Sequence, residues 1–401
     1  MKLVKSLFLG SVAGLAAVAG AQAADLPAKK AAAVEYVRVC STYGAGFFYI
    51  PGTDTCLRVG GRARAEYAYV EPEDRFDDSI GFRARGRIQL DARTATAYGL
   101  LRTFVRFDIT HNTGVYGGDT AVVDQAFVQF GGLTAGRTVS FWDNGDLPTG
   151  HFGTLRFSDA PTVNVLAYTF SFGNGFSATL SLEEGRFAGR NALGFDYDPG
   201  PATDFRVAGQ RMPDVVANVK YAGTWGTAQV SGVVHQIRGL ADPFVVGADT
   251  PDTEYGWGVS FQGSVNLPTL AAGDAAWIAA QYVNGALGYL GFGNSVSDAV
   301  YDVDGEIDTT RGWSVAGGLR HYWTPEIRQN VFGSYARVEY GAGIGPDADF
   351  SEWRVGTNVI WSPVSGLDIG PEVIYVNNNP RAAGLETADH WEARFRVQRD
   401  F

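Results

Sequence analysis

Seven arginines stand on alternate positions in three neighbouring stretches: Arg62 and Arg64, then Arg83, Arg85 and Arg87, then Arg102 and Arg106. A guanidinium keeps its charge at any physiological pH and binds carboxylates or phosphates through a rigid fork. A row of like charges is destabilising in a dry environment, so these positions must face water or carboxylates. The chemistry open to them is electrostatic: a charged wall can sort ions. Asp143, Asp146 and Asp159, in one stretch with His151 and Arg156, could supply an opposing acidic wall. The plainer reading of the arginines is a solvated face that only keeps a sheet soluble.

Bond-making chemistry finds less support. The five histidines (His111, His151, His235, His321, His390) are scattered singly, and none is spaced for a metal pair or a catalytic dyad on one strand. Gly341-Ala342-Gly343 lacks a following helix and a Lys-Ser/Thr pair, so phosphate binding is unsupported. No metal or cofactor is expected, and an enzyme is the disfavoured class.

These arginines need elements to position them, and the chain supplies alternation with a period of two. From Leu57 one face carries Leu57, Val59, Gly61, Ala63, Ala65, Tyr67 and Tyr69; the other carries Arg58, Arg62, Arg64 and Glu66. Next, Ile80, Phe82, Ala84, Gly86, Ile88 and Leu90 oppose Arg83, Arg85, Arg87, Gln89, Asp91 and Arg93. Leu101, Val105, Phe107 and Ile109 then oppose Arg102, Arg106 and Asp108, with Phe104 out of place. The last stretch sets Trp391, Ala393, Phe395, Val397 and Phe401 against Glu392, Arg394, Arg396, Gln398 and Asp400; Arg399 interrupts its apolar row. Such strands have one apolar and one wet face, whereas helical spacing would scatter the arginines.

Reading on gives sixteen strands near 57–70, 80–93, 99–110, 121–130, 133–141, 162–172, 175–184, 213–222, 225–237, 254–266, 274–284, 311–323, 329–340, 351–361, 367–376 and 390–401. After even-numbered strands the chain turns back quickly, at Gly131-Gly132, Gly173-Asn174, Gly223-Thr224, Thr324 to Arg328 and Ser362 to Gly366. After several odd-numbered strands it wanders, for 20 residues at Trp142 to Pro161, 28 at Gly185 to Met212 and 26 at Gly285 to Thr310. A soluble sandwich has no reason to sort its loops by parity; a membrane barrel does. In hydrocarbon every backbone polar group needs an internal partner, so a sheet survives there only if closed. Sixteen strands enclose water, where eight would be filled by side chains. Aromatic residues near strand ends (Tyr67, Tyr69, Trp313, Trp323, Trp353, Trp361, Trp391, Phe401) suit girdles at headgroup level. The expected fold is all-β, a transmembrane antiparallel barrel of sixteen strands.

The start of the chain reads as an export signal over residues 1–23: Lys2 and Lys5, then an apolar run from Leu7 to Ala19, then Ala21-Gln22-Ala23 as cleavage site. Residues 24–56 would be a periplasmic lead-in and 57–401 the barrel. Removing Lys2 and Lys5 takes the formal charge from −11 to −13, an acidic balance that argues against nucleic acid. Cys40 and Cys56, the only cysteines, are expected to form a disulfide in that oxidising compartment. A metal site is the weaker alternative, since two thiols lack nearby histidines.

Three motifs carry a family resemblance: VRVCSTYGAGFFYIPGTDTCLRVGG (Val37 to Gly61), AFVQFGGLTAGRTVSFWD (Ala126 to Asp143) and GLRHYWTPEIRQNVFGSYA (Gly318 to Ala336). With them the chain resembles the general porins of alphaproteobacteria across its mature length, the long loops matching least. The resemblance implies a homotrimer in the Gram-negative outer membrane, among its lipid and lipopolysaccharide. It also implies passive diffusion of small hydrophilic solutes and ions, and a third long loop, Trp142 to Pro161, that folds inward to narrow the pore. The terminal Phe401 resembles the signal read by the barrel-assembly machinery. Other readings are a substrate-specific channel and an envelope tether that touches the cell wall through residues 26–39, with Lys29, Lys30, Glu35 and Arg38.

Overall fold

The computed structural model describes residues 38–188, 205–241, 247, 249–293, 296–342, 348–381 and 387–401. The expected export signal and most of the lead-in lie outside the described residues. The chain divides into two units, 1–56 and 57–401. In the first, Cys40 and Cys56 form a disulfide. Both cysteines are buried with Phe47, and Tyr43 and Tyr49 pack around them. The Arg38 guanidinium lies 3.9 Å from the centre of the Tyr49 ring.

The second unit is a barrel. Its strands are β1 (Cys56–Val70), β2 (Ile80–Thr96), β3 (Gly99–Gly114), β4 (Thr120–Phe130), β5 (Leu133–Val139), β6 (Thr162–Gly173), β7 (Phe176–Glu183) and β8 (Asp214–Gly223). They continue with β9 (Gly226–Ile237), β10 (Glu254–Asn266), β11 (Ala275–Asn284), β12 (Arg311–Thr324), β13 (Ile327–Glu339), β14 (Phe350–Trp361), β15 (Leu367–Pro380) and β16 (Ala388–Asp400). Each pairs with the next, and β16 returns to β1 with Arg396 opposite Glu66 and Asp400 opposite Arg62. The sheet therefore closes and leaves no edge. All sixteen expected strands are present, with ends shifted by a few residues. β5 stops at Val139 rather than 141: the Phe141 N–H donates to the Glu183 carboxylate (2.9 Å) instead of to a backbone carbonyl of a neighbouring strand.

The faces are inverted relative to a soluble protein. Val59, Ile88, Phe107, Leu166, Phe261 and Val355 are exposed, while Glu66, Asp91, Gln262 and Glu352 are buried. That is the arrangement a barrel needs when lipid lies outside and polar groups within. Loop lengths follow parity: β4 to β5 takes only Gly131-Gly132 and β12 to β13 only Pro325-Glu326, whereas β5 to β6 and β11 to β12 wander. The β6–β7 turn centres on Asn174-Gly175, one residue later than expected from sequence. Both residues have positive φ (52° and 86°), which a two-residue hairpin of this hand requires and which Asn and Gly tolerate.

Candidate functional site: the charged lumen

The arginine rows lie on the inward faces of β1 to β3, and register decides what they meet. Arg62 donates to Asp400 (2.6 and 2.9 Å) and Arg64 to Gln398 (2.8 Å). Arg87 forks onto Asp108 with two contacts of 2.7 Å. Arg102 does the same to Asp91 (3.0 and 3.1 Å), which Arg93 also engages. Arg83 and Arg85 bond to Asn112 and Thr110, and Arg106 to Gln89. A bulge adds one more acid: the β3–β4 register slips between Arg106 and Phe107, so Asp124 is the extra residue. Its carboxylate lies 3.3 Å from Arg87 and 3.4 Å from Arg106. Phe104, out of step in sequence, is buried on this face, stacked on Phe127 and flanked by Arg102 and Arg106, each 5.1 Å from its ring centre. An apolar ring is tolerated there because cations cover it.

The connection from β5 to β6 carries the opposite surface. The Asn144 N–H donates to Gln262 on β10 (2.7 Å) and the Ser158 N–H to Gln281 on β11 (2.9 Å). The N–H groups of Phe152 and Gly153 both donate to Glu372 on β15, each at 2.6 Å. Arg156 forks onto Glu352 on β14 (2.6 and 2.9 Å). A segment leaving the wall at β5 and bonded to inward side chains as far round as β15 crosses the lumen. Trp142, Leu155 and Phe157 are buried by it.

The β11–β12 connection joins the same mass. Its 3-10 turn Leu287–Leu290 packs with Trp142, Val233, Val338 and Phe350. Gly291 ends that turn at φ +80°, where a side chain would strike the Phe157 carbonyl. Glycine is required there both for the backbone and for the space. Below the turn lies a polar cluster. His235 on β9 holds Asp214 at 2.8 Å and has Asp298 at 3.8 Å; the Tyr289 hydroxyl donates to Asp214 (2.6 Å). Asp298 accepts the N–H groups of Ala188 and Leu287, so one carboxylate ties two loops together.

A family described as Porin subfamily matches residues 25–398. Porin Omp2b of Brucella suis biovar 1 (strain 1330) is 33% identical over 416 residues, covering 99% of both chains. The chain belongs to the porin family. Among solved structures, the outer membrane channel DcaP of Acinetobacter baumannii superposes with a TM-score of 0.70 at 16% identity, covering 88% of this chain and 99% of that one. OmpT of Vibrio cholerae in its trimer form gives 0.52 at 14% identity, with 87% and 100% covered. These two likenesses speak for the barrel fold.

This porin brings the seven expected arginines together on one wall. The three loop acids part company. The Asp143 side chain is almost wholly enclosed, held by Ser158 (2.9 Å), Gln262 (3.2 Å) and, at 3.7 Å, Arg186. Burial pushes its carboxyl up to about 6, against the pull of Arg186. Burial likewise pushes Asp298 up to about 6, His235 opposing. Asp146 is open to water and pairs with Lys220 at 2.6 Å; Asp159, half exposed, lies 3.4 Å from His151.

Sequence reasoning did not give roles to Glu66, Asp91 and Asp108, which compensate the arginines within their own wall, or to Asp124 and Asp400, which do so from the adjoining β4 and β16. Nor did it give roles to Glu352, Glu372 and Glu392, to which the loop and Arg354 and Arg394 are anchored. Glu66, Asp91 and Asp108 stood in the alternating rows and were legible as inward residues. Glu392 and Asp400 stood in such a row on β16, whereas Glu352 and Glu372, the anchoring acids of β14 and β15, carried no local signal.

Proposed function

We propose that ions and small hydrophilic solutes cross this outer-membrane porin between the arginine rows of β1 to β3 and the loop 140–161, and that these two surfaces set its ion preference. The observation that carries this is a cavity of about 570 Å³, bordered on one side by Arg58, Arg102 and Arg106 and on the other by Phe141, Gly145 and Asp146. Arg62, Arg64, Arg83, Arg85 and Arg87 extend the basic side, and Asp146 and Asp159 are the loop acids still open to water. Asp143 acts as an internal brace for the loop. Passage is diffusive, and the channel carries out no catalytic step. The wall of charge favours some ions over others because low-dielectric walls focus their field.

The chain is exported by its first 23 residues and works as a homotrimer, as the trimer form of OmpT supports by likeness. Phe401 is the terminal signal for assembly. Its N–H and carbonyl both bond to Gly61, so it completes the seam that closes the barrel. Conductance in planar bilayers tests the central reading. Current that rises linearly with salt, with a reversal potential in a salt gradient that moves when Arg102 and Arg106 become Gln, is expected. Current saturating at low solute concentration would make this a substrate-specific channel instead.

A further inference from the structure

We propose that His151 and Asp159, in the loop that crosses the lumen, form an exchangeable site for a divalent transition cation, Zn²⁺ being the ion that fits. Both line a cavity of about 510 Å³ that shares no bordering residue with the one between the arginines and Asp146. The fold of the loop brings them together, so no strand or helix spacing announced the pair.

The tautomer of His151 follows from its partner. Its Nδ1 lies 2.6 Å from the Gly153 carbonyl oxygen, which can only accept, so Nδ1 carries the proton and donates it. The bare Nε2 faces the Asp159 carboxylate at 3.4 Å, in a side chain only 5% exposed, and has no hydrogen-bond partner. Two acceptors turned on each other call for a cation between them. A metal-bound imidazole is built this way: one nitrogen ligates, and the other donates to a carbonyl or carboxylate that fixes the ring.

The spacing agrees. Zinc takes imidazole nitrogen at about 2.0–2.1 Å and carboxylate oxygen at about 2.0–2.2 Å in tetrahedral geometry, which sets two such ligands about 3.3–3.5 Å apart. Among the described residues no group of three His, Cys, Asp or Glu stands ready for a metal, so water fills the other positions and the ion can come and go. A nitrogen with an oxygen suits zinc, whereas Mg²⁺ and Ca²⁺ prefer oxygen alone. Arg186 also borders the cavity, but Asp143 lies 3.7 Å from it and offsets its charge.

Both ligands are held in place. The His151 ring packs among Phe157, Trp277 and Phe332, with centres 5.7–6.5 Å away, and the Gly153 N–H is tied to Glu372. Beside Asp159, Ala160 takes φ +48°, a conformation that residues with a Cβ rarely adopt, and the following proline favours extended backbone instead. The other histidines lack this arrangement. His111, His235 and His321 bring Nδ1 to a carboxylate at 2.6–2.9 Å. His235 also leaves Nε2 unbonded, but it is wholly enclosed, and the acid it faces, Asp298 at 3.8 Å, already accepts two N–H groups. His390 faces Glu392, which Arg354 and Arg394 hold.

Isothermal titration calorimetry tests the site on the intact porin in detergent, freed of metal with a chelator and kept at about pH 8 so that protons compete little for imidazole. The probes are ZnCl2 and MgCl2. Zinc is expected to bind at one site per chain, and magnesium at the same concentration to give no binding heat. His151→Gln and Asp159→Asn should each weaken zinc about tenfold or more, since even the loss of a supporting partner costs that much. His151 is enclosed, so Asp159→Asn, at a half-exposed position, keeps the test valid if the first variant does not fold; circular dichroism reports the barrel in each. Zinc bound by folded Asp159→Asn with unchanged affinity, magnesium bound as tightly as zinc, or no zinc binding by the parent would overturn the site.

Discussion

Glu352 is fully buried and carries two arginines, Arg156 from the loop and Arg354 from its own strand. Charges so placed hold each other only while the set is complete, because their water is gone. Glu352→Gln leaves Arg156 and Arg354 with one carboxylate fewer. Breaking a buried ion pair costs about 3–5 kcal/mol. The substitution is expected to lower the unfolding temperature and raise open-channel noise as the loop loosens; noise equal to the parent's would show that the loop does not depend on this anchor. At this scale the sequence was half legible. Alternation put Arg87 and Asp108 on wet faces, but only register shows that they face each other. Asp124 was hidden because a bulge breaks the very alternation by which its neighbours were read. Glu352 and Glu372 were hidden as loop anchors because the loop groups they hold lie about 200 positions away along the chain.

Strands and loops differ in what fixes them. A strand of this barrel is set by its own pattern of apolar and polar residues, so sixteen of them could be read locally. The loop 140–161 has no such pattern. Its shape comes from Gln262, Gln281, Glu352 and Glu372 on distant strands, and the sequence could show only that it is long enough to reach them. The packed loops also hold a pH dependence with a definite sign. Asp143 and Asp298 titrate near 6 instead of the ordinary carboxylate range because burial disfavours their charge. A raised carboxyl stabilises the packed arrangement fully at low pH, and that stability is lost as pH rises through about 6. The groups facing Asp298 are His235 and Asp214 from the wall; Arg186 and Asp159 act on Asp143. Single-channel recordings are therefore expected to be quieter at pH 5 than at pH 8. Asp298→Asn, which keeps the shape and removes the charge, should flatten part of that difference. A channel noisier in acid, or an unchanged pH response in the variant, would count against this account.

For the whole molecule the net charge of the chain is a poor guide to the pore. The protein is acidic overall, at −11, yet the wall of β1 to β3 gathers seven named arginines against Glu66, Asp91, Asp108, Asp124 and Asp400. The excess there is positive and small, so selectivity should be modest and should depend on ionic strength. Screening lengths are about 10 Å in 0.1 M salt and about 3 Å in 1 M. A field from Arg102 and Arg106 can thus reach across the cavity they share with Asp146 only in the dilute solution. Arg102→Gln with Arg106→Gln is expected to move the reversal potential toward cations in gradients near 0.1 M, and Asp146→Asn to move it toward anions. Both shifts should shrink severalfold when the gradient is centred near 1 M. A shift of the same size at both salts would mean that the two surfaces act by shape or direct binding, because no screened field behaves that way.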